Sequence, residues 1–111
     1  MTFSALTPQF AVSPQLAPQD LEQAVAQGFK TVINNRPDFE GGPEQPTSAQ
    51  MKAAAEALGL AYAYLPVQGG FQSAEEIAAF RELLDALPGP VLAFCRSGAR
   101  CTKLFVQAQS L

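Results

Sequence analysis

The sequence predicts a single α/β domain, residues 1–111, with a mostly parallel central sheet flanked by helices. Short apolar, β-prone segments alternate with amphipathic segments of helix length, and the connections between them are short. This alternation implies parallel strands with helices packed on the faces of the sheet. With 111 residues, of which 48% are hydrophobic, the chain is long enough to bury one core and too short for a second domain.

The first third of the chain predicts two strands and one helix. Residues 10–12 are a short apolar strand candidate. Pro18 is favoured in the first turn of a helix that Gly28 ends, and residues 29–34 supply a β-branched run of strand length. The predicted apolar face of this helix consists of Leu21, Ala24 and Val25. Segment 35–43 is rich in Gly and Pro and is predicted to be a loop.

Two capping boxes mark the starts of the next two helices. Thr47 with Gln50, and Ser73 with Glu76, have the spacing at which side chains and backbone N–H groups pair at a helix start. Between them, residues 60–67 are β-prone, with a proline that confines the strand to its earlier part. The predicted core-facing residues are Met51, Ala54, Ala55 and Leu58 in one helix, and Ile77, Phe80, Leu84 and Leu87 in the other.

The candidate active site follows the last predicted strand, residues 91–94. Cys95, Gly98 and Arg100 come directly after it, where a final helix begins. Backbone N–H groups at a helix N-terminus bind anions and bias a thiol towards the thiolate, which is the attacking form. Neighbouring guanidinium groups favour the thiolate in the same way, so we predict Cys95 and Arg100 as catalytic residues. The predicted substrate-binding residues of the loop are Arg96, Ser97, Gly98 and Ala99. The apolar side of the final helix consists of Leu104, Phe105, Ala108 and Leu111.

Loops from neighbouring strands are expected to meet at the Cys95 loop. In parallel sheets the ligand site lies beyond the carboxyl ends of the strands. The loops after residues 34, 64 and 94 follow such ends. This placement brings the Gly69-Gly70 segment and three charged residues of the earlier loop close to Cys95. Those charged residues are Arg36, Asp38 and Glu40.

Composition argues against several classes of function. The net charge is -3 and Lys and Arg form no cluster outside the Cys95 loop, which disfavours nucleic-acid and anionic-membrane partners. There is no transmembrane run, and residues 1–8 lack the basic start and apolar core of a signal peptide, so a cytoplasmic location is expected. With two cysteines and no histidine, the chain predicts neither a disulfide framework nor a zinc site, and no cofactor.

Two resemblances follow from these motifs. Segment 95–100, Cys-Arg-Ser-Gly-Ala-Arg, resembles the active-site loop of rhodaneses. The order of elements, with segments 32–38 and 71–80, resembles the bacterial beta-lactamase-hydrolase-like, phosphatase-like family over nearly the whole chain. This resemblance implies a three-layer fold like that of dual-specificity protein tyrosine phosphatases. It also implies a role in sulfur metabolism and the corresponding partners, because members occur alone or fused to persulfide dioxygenase or sulfide-oxidising flavoprotein domains.

The spacing of the loop favours sulfur transfer over phosphate hydrolysis. Tyrosine phosphatases use His-Cys-x5-Arg around a phosphoryl group, whereas rhodaneses use Cys-x4-Arg around one sulfur atom. Cys95 and Arg100 have the shorter spacing, Cys101 stands at the position of the phosphatase arginine, and Phe94 at that of its histidine. Loop 66–72 contains no carboxylate to serve as general acid. The sequence is therefore interpreted as a sulfurtransferase.

In this interpretation the Cys95 thiolate attacks the outer sulfur of a thiosulfate- or persulfide-like donor. The loop N–H groups and Arg100 stabilise the resulting persulfide. Two alternatives stay open, each with a small anionic ligand. One is a phosphatase that forms a phosphocysteine, with Asp38 or Glu40 as a weak general acid, although both also fit as solvated charges or as partners of Arg36. The other is a weak anion- or partner-binding domain, expected if Cys95 reacts slowly with alkylating agents.

Three further residues near the loop each fit more than one role. Both families usually carry serine or threonine after the arginine, where this chain has Cys101. Cys101 fits a resolving cysteine that attacks a Cys95 persulfide or sulfenic acid, or a packed residue beside Thr102, which then supplies the hydroxyl. Arg36 fits an ordering role in its loop or contact with an anionic substrate. Arg96 fits attraction of anionic donors or simple solvation of the rim.

Overall fold

A five-stranded sheet forms the centre of the structure, a computed structural model that describes residues 3–111. The strands are β1 (Ser4–Thr7), β2 (Phe10–Ser13), β3 (Thr31–Asn34), β4 (Ala61–Tyr64) and β5 (Val91–Phe94). Their order in the sheet is β1-β2-β5-β3-β4, with β1 antiparallel to β2 and every other pair parallel. The mostly parallel sheet is therefore confirmed. Met1 and Thr2, which belong to the predicted domain and to the segment compared with a signal peptide, lie outside the described residues.

Four helices cover the two faces of the sheet. They are α1 (Leu21–Ala26), preceded by a 3-10 turn at Pro18–Asp20, α2 (Ser48–Ala57), α3 (Ala74–Ala86) and α4 (Ala99–Ala108). One core cluster joins α1 and α2 to one face, and a second joins α3 and α4 to the other. The predicted three-layer arrangement is thus present. None of the helices between residues 3 and 111 has the length and apolar character needed to cross a bilayer.

The two predicted capping boxes start α2 and α3. Thr47 Oγ1 accepts a hydrogen bond from the Gln50 N–H at 3.2 Å, and Gln50 Oε1 accepts one from the Thr47 N–H at 2.9 Å. Ser73 and Glu76 make the same reciprocal pair at 3.1 Å and 2.8 Å. Because these bonds satisfy orphan N–H groups, they fix where the preceding loops end.

Some predicted details are wrong. Strand β1 was not predicted, because its sequence Ser-Ala-Leu-Thr carries no apolar alternation and all four residues are exposed on the sheet edge. Val25, Leu58 and Leu111 were assigned to core faces, yet they are 40%, 37% and 66% exposed. Helix α1 has only six residues and turns a narrow face, Leu21 and Ala24, to the sheet. Leu58 and Leu111 lie beyond the last residues of their helices.

The register of the sheet positions the site. Asn34 of β3 and Ser13 of β2 both pair with Phe94 of β5, so the three strands end at the same level. The chain segments that follow these residues therefore leave the sheet side by side. Asn35 confirms this arrangement, because its N–H donates to the Phe94 carbonyl at 2.8 Å. The loops after β2, β3 and β5 consequently meet at the residue after Phe94.

Candidate active site

Cys95 lies at the bottom of a tight loop between β5 and α4. The Gly98 N–H donates to Cys95 Sγ at 3.0 Å, so the loop folds back over the sulfur atom. Gly98 is the N-cap of α4 and has φ 94°, a left-handed conformation that L side chains rarely adopt. Glycine is therefore required here by the backbone. Cys95 itself is fully buried, and the structure contains both cysteines as free thiols.

The environment of Cys95 favours the thiolate. A hydrogen bond from the Cys101 side chain is the largest influence, and backbone N–H groups of Cys101, Ser97 and Arg100 act in the same direction. Together they lower the pKa of Cys95 to about 5, against burial, which raises it. Burial raises the pKa of Cys101 well above its ordinary value, so Cys101 stays a protonated donor. At neutral pH the pair therefore consists of a thiolate and a thiol.

Replacement of Cys101 tests this assignment. In Cys101→Ala the side-chain donor is lost, so the pKa of Cys95 should rise from about 5 towards its ordinary value. Because the thiolate is the form that alkylates, the midpoint of the rate–pH curve for iodoacetamide should move to higher pH. The matched Cys101→Ser keeps a hydroxyl donor and should hold the midpoint low. An Ala variant with the wild-type midpoint would show that Cys101 does not act on the thiolate.

Arg100 is held by two other loops. Its Nη1 donates to Glu40 Oε2 at 2.9 Å and to the Val67 carbonyl at 3.1 Å, while its Nη2 donates to Glu40 Oε1 at 2.7 Å. Gly69 lies beside the same side chain, since a Cβ built there would be 3.6 Å from Arg100 Nε. The loops after β3 and β4 therefore meet at Arg100, as the sequence predicted.

Glu40 is the acid that the structure brings to the site. Its Oε1 also accepts a hydrogen bond from Arg36 Nε at 3.0 Å, and Arg36 Nη1 donates to Gln15 Oε1 at 3.2 Å. The two guanidinium groups, Arg100 first, lower the pKa of Glu40 and keep it ionised. Of the two roles predicted for Arg36, the observed contacts are those of an ordering residue. Residues 3–111 contain no group of three or more potential His, Cys, Asp or Glu metal ligands.

Asp38, the other predicted acid, has a structural role instead. Its Oδ1 accepts a hydrogen bond from the Ser48 N–H at 2.8 Å, at the start of α2. Its own N–H donates to the Tyr64 hydroxyl at 2.8 Å. Asp38 therefore fastens the loop after β3 to α2 and β4, and within residues 3–111 it forms no hydrogen bond or ion pair with the Cys95 loop or Arg100. This anchoring holds the next charged residue, Glu40, in place.

The remaining predicted residues of the loop separate into distinct roles. Thr102 does not supply a hydroxyl to Cys95, because its Oγ1 donates to the Gly98 carbonyl at 2.9 Å, one helical turn back. Arg96 is exposed, and its carbonyl accepts a hydrogen bond from the Gln15 N–H at 3.3 Å. Ser97 Oγ accepts one from the Ala99 N–H at 3.3 Å. The hydroxyl role predicted for Thr102 is therefore wrong.

Three contributions to the site were not predicted from the sequence patterns. Gln15 supports Arg36, and the carbonyl of Val67 accepts from Arg100. Asn35 is fully buried; its Nδ2 donates to the Leu65 carbonyl at 2.8 Å, and its Oδ1 has no partner within the described part of the chain. A polar residue directly after a buried strand was the available signal for Asn35. The carbonyl of Val67 carried no signal, because backbone groups are common to all residues.

Known proteins are similar to this chain over most of its length. The profile of the family described as "Beta-lactamase hydrolase-like protein, phosphatase-like domain" matches residues 2–111. A "Beta-lactamase hydrolase-like protein" from Agrobacterium fabrum is 41% identical over 101 residues, which are 91% of this chain and 23% of the relative. A protein of the same description from Xylella fastidiosa is 34% identical with the same coverage. The chain thus spans 23% of the length of these curated relatives.

Solved structures share the fold. A candidate phosphatase from Neisseria meningitidis superposes with a TM-score of 0.87 at 38% identity, over 95% of this chain and 74% of that chain. The core catalytic domain of the PP-IP phosphatase SIW14 from S. cerevisiae gives a TM-score of 0.63 at 15% identity, over 97% and 74% of the two chains. The second likeness concerns the fold alone. The expected tyrosine-phosphatase-like architecture is therefore confirmed.

Proposed function

This chain belongs to the Beta-lactamase hydrolase-like, phosphatase-like domain family, and from that premise we propose that it hydrolyses phosphate monoesters through a phosphocysteine at Cys95. The observation that supports this proposal most is the state of Cys95. Its sulfur accepts hydrogen bonds from N–H groups of the loop, and the pKa of its thiol is lowered to about 5. The similarity to the Neisseria candidate phosphatase points in the same direction. Phosphate hydrolysis thereby takes precedence over the sulfur transfer that the loop spacing favoured.

The proposed reaction begins with attack of the Cys95 thiolate on phosphorus. The S–P bond forms as the ester P–O bond breaks, and the leaving group departs as an alkoxide or phenolate that takes its proton from solvent. Backbone N–H groups of the loop and the Arg100 guanidinium stabilise the charge on the phosphoryl oxygens. Water then cleaves the S–P bond, which releases inorganic phosphate and restores the thiolate.

Neither of the two predicted acids is placed to protonate the leaving group. A general acid contributes about 10²- to 10⁴-fold to such reactions. Glu40 is kept ionised by Arg100 and Arg36, and Asp38 bonds to Ser48 on α2. Neither residue is therefore available as a proton donor in this arrangement. We infer that the natural leaving group is one that departs without protonation, such as a phenolate.

The dependence of rate on the leaving group tests this inference. Across a series of aryl phosphates, kcat/KM should fall steeply as the pKa of the phenol rises, by about 10²-fold or more between the most and least activated esters. Release of phenol and of phosphate is measured, with Cys95→Ser as the control for background hydrolysis. A nearly flat dependence would show that some residue protonates the leaving oxygen.

Sulfur transfer is the second candidate, and the Cys-x4-Arg spacing favours it. The Cys95 thiolate would attack the outer sulfur of thiosulfate, the S–S bond would break with release of sulfite, and the persulfide would pass its sulfur to cyanide or a thiol. No step of this transfer needs a general acid. This agrees with the structure, in which the carboxylates of Asp38 and Glu40 accept hydrogen bonds from Ser48 and Arg100. Persulfide dioxygenase or sulfide-oxidising flavoprotein partners and a cytoplasmic location belong to this proposal. Thiocyanate formation from thiosulfate and cyanide measures it.

A further inference from the structure

The carboxylate of Glu40 lies between two guanidinium groups at the edge of the Cys95 loop. It accepts hydrogen bonds from Arg100 Nη1 and Nη2 at 2.9 Å and 2.7 Å, and from Arg36 Nε at 3.0 Å. The Glu40 side chain is 28% exposed, and those of Arg36 and Arg100 are each 11% exposed. The site therefore contains a fixed, partly buried negative charge next to its catalytic cation.

Arg100 keeps only part of its hydrogen-bonding capacity for a ligand. A guanidinium has five N–H donors. Glu40 and the Val67 carbonyl occupy both donors of Nη1 and one of Nη2. Within residues 3–111 no acceptor meets the Nε–H or the second Nη2–H. These two donors lie along one edge of the planar group, which suits bidentate contact with two oxygens of a single anion.

An anion on that free edge would experience repulsion from Glu40. Hydrogen bonds on both edges of one guanidinium place the two anions roughly 7 Å apart. At that separation, at the effective dielectric of a protein surface, each unit of ligand charge weakens binding by about ten-fold after allowance for solvent screening. For a dianion the free-energy penalty is twice as large, which corresponds to about a hundred-fold weaker binding.

We propose that Glu40 is a specificity-determining residue, which makes the Cys95 loop favour monoanionic over dianionic substrates. The proposal rests on the proposed function only in taking the loop as the substrate site. Arg36, paired with the same carboxylate, offsets part of this repulsion, but its charge is unchanged in a Glu40→Gln variant, so that comparison isolates the charge of Glu40. The preferred form of the substrate is therefore the singly charged one, such as the monoanion of a phosphate ester, with at most two oxygens on the free Arg100 edge.

Two aryl esters of matched shape test the proposal. In the Cys95→Ser protein, which cannot form the covalent adduct, binding of p-nitrophenyl sulfate and p-nitrophenyl phosphate is measured by calorimetry near pH 8. The sulfate ester is then a monoanion and the phosphate ester a dianion, because the second pKa of a phosphate ester is about 6. Adding Glu40→Gln keeps the shape and one acceptor but removes the charge. The sulfate should then bind about ten-fold tighter and the phosphate about a hundred-fold tighter.

A remote ion pair provides the matched control. Asp85 pairs with Arg81 at 3.1 Å on α3, beside the starts of β2 and β5 and thus at the opposite end of the strands. Asp85→Asn removes the same charge and should leave both affinities unchanged. Equal changes for the two esters, or weaker binding of the phosphate in Glu40→Gln, would overturn the proposal while leaving the proposed function intact. No binding of either ester to either protein would overturn both.

Discussion

Cys95→Ser is expected to lower kcat/KM for p-nitrophenyl phosphate by at least about a thousand-fold, because it removes the attacking atom itself. The loop lowers the pKa of the Cys95 thiol to about 5, so nearly all of the wild-type protein carries the thiolate at neutral pH. A serine hydroxyl remains protonated in the same place, since the described part of the site offers no histidine or free carboxylate as a base. Initial rates of nitrophenol release measure the loss.

Cys101→Ser is the matched control for that substitution. It makes the same chemical change in the same loop but keeps a donor for the Cys95 sulfur, so it should retain most of the activity. Circular dichroism and thermal unfolding of both variants establish that each is folded. Nitrophenol release by Cys95→Ser at a rate near that of the wild type would contradict nucleophilic catalysis by this residue.

Arg100→Lys is expected to lower kcat/KM by about a hundred-fold. The positive charge remains, but an ammonium group cannot bind Glu40 by two parallel N–H bonds, contact the Val67 carbonyl and still present a free edge to an anion. The loss should therefore come from geometry rather than from net charge. Assays with the aryl phosphate and with thiosulfate plus cyanide both measure it, because each proposed reaction uses Arg100.

Arg81→Lys is the control, because it replaces a guanidinium by an ammonium group elsewhere in the fold. Arg81 donates to Asp85 and to the Ala108 carbonyl, away from the Cys95 loop. The variant should lose some stability, seen in thermal unfolding, and little activity. If Arg100→Lys were as active as Arg81→Lys, the guanidinium geometry at position 100 would have no part in catalysis.

Much of the fold could be predicted because local signals agreed with the tertiary structure. The capping boxes at Thr47 and Ser73 mark helix starts through contacts within four residues, so no knowledge of the rest of the chain is needed. The buried run of β5 and the following Gly98 likewise carry their signals locally. Strand β1 carries none, since it is an exposed edge strand whose hydrogen bonds to β2 alone define it.

The site was only partly predictable for a related reason. Parallel topology was enough to bring the loops after β3 and β4 to Cys95, but not to say which acid reaches the arginine. Asp38 and Glu40 are two residues apart in one irregular loop, and their different partners depend on Tyr64, Ser48 and Arg100 at distant positions. Those contacts depend on the three-dimensional path of the loop, where Phe39 has a positive φ of 65°. No sequence pattern predicts that path.

The group carried by Cys95 during turnover distinguishes phosphate hydrolysis from sulfur transfer most directly. The wild-type protein is mixed with p-nitrophenyl phosphate, quenched in acid within the first turnover, digested, and the peptide containing Cys95 is analysed by mass spectrometry. A parallel sample is treated with thiosulfate. If Cys95 is the nucleophile of a phosphatase, one phosphoryl group is expected on Cys95 in the first sample and none in Cys95→Ser. An unmodified Cys95 after phosphate ester turnover, with one added sulfur atom after thiosulfate, would contradict this role in favour of sulfur transfer.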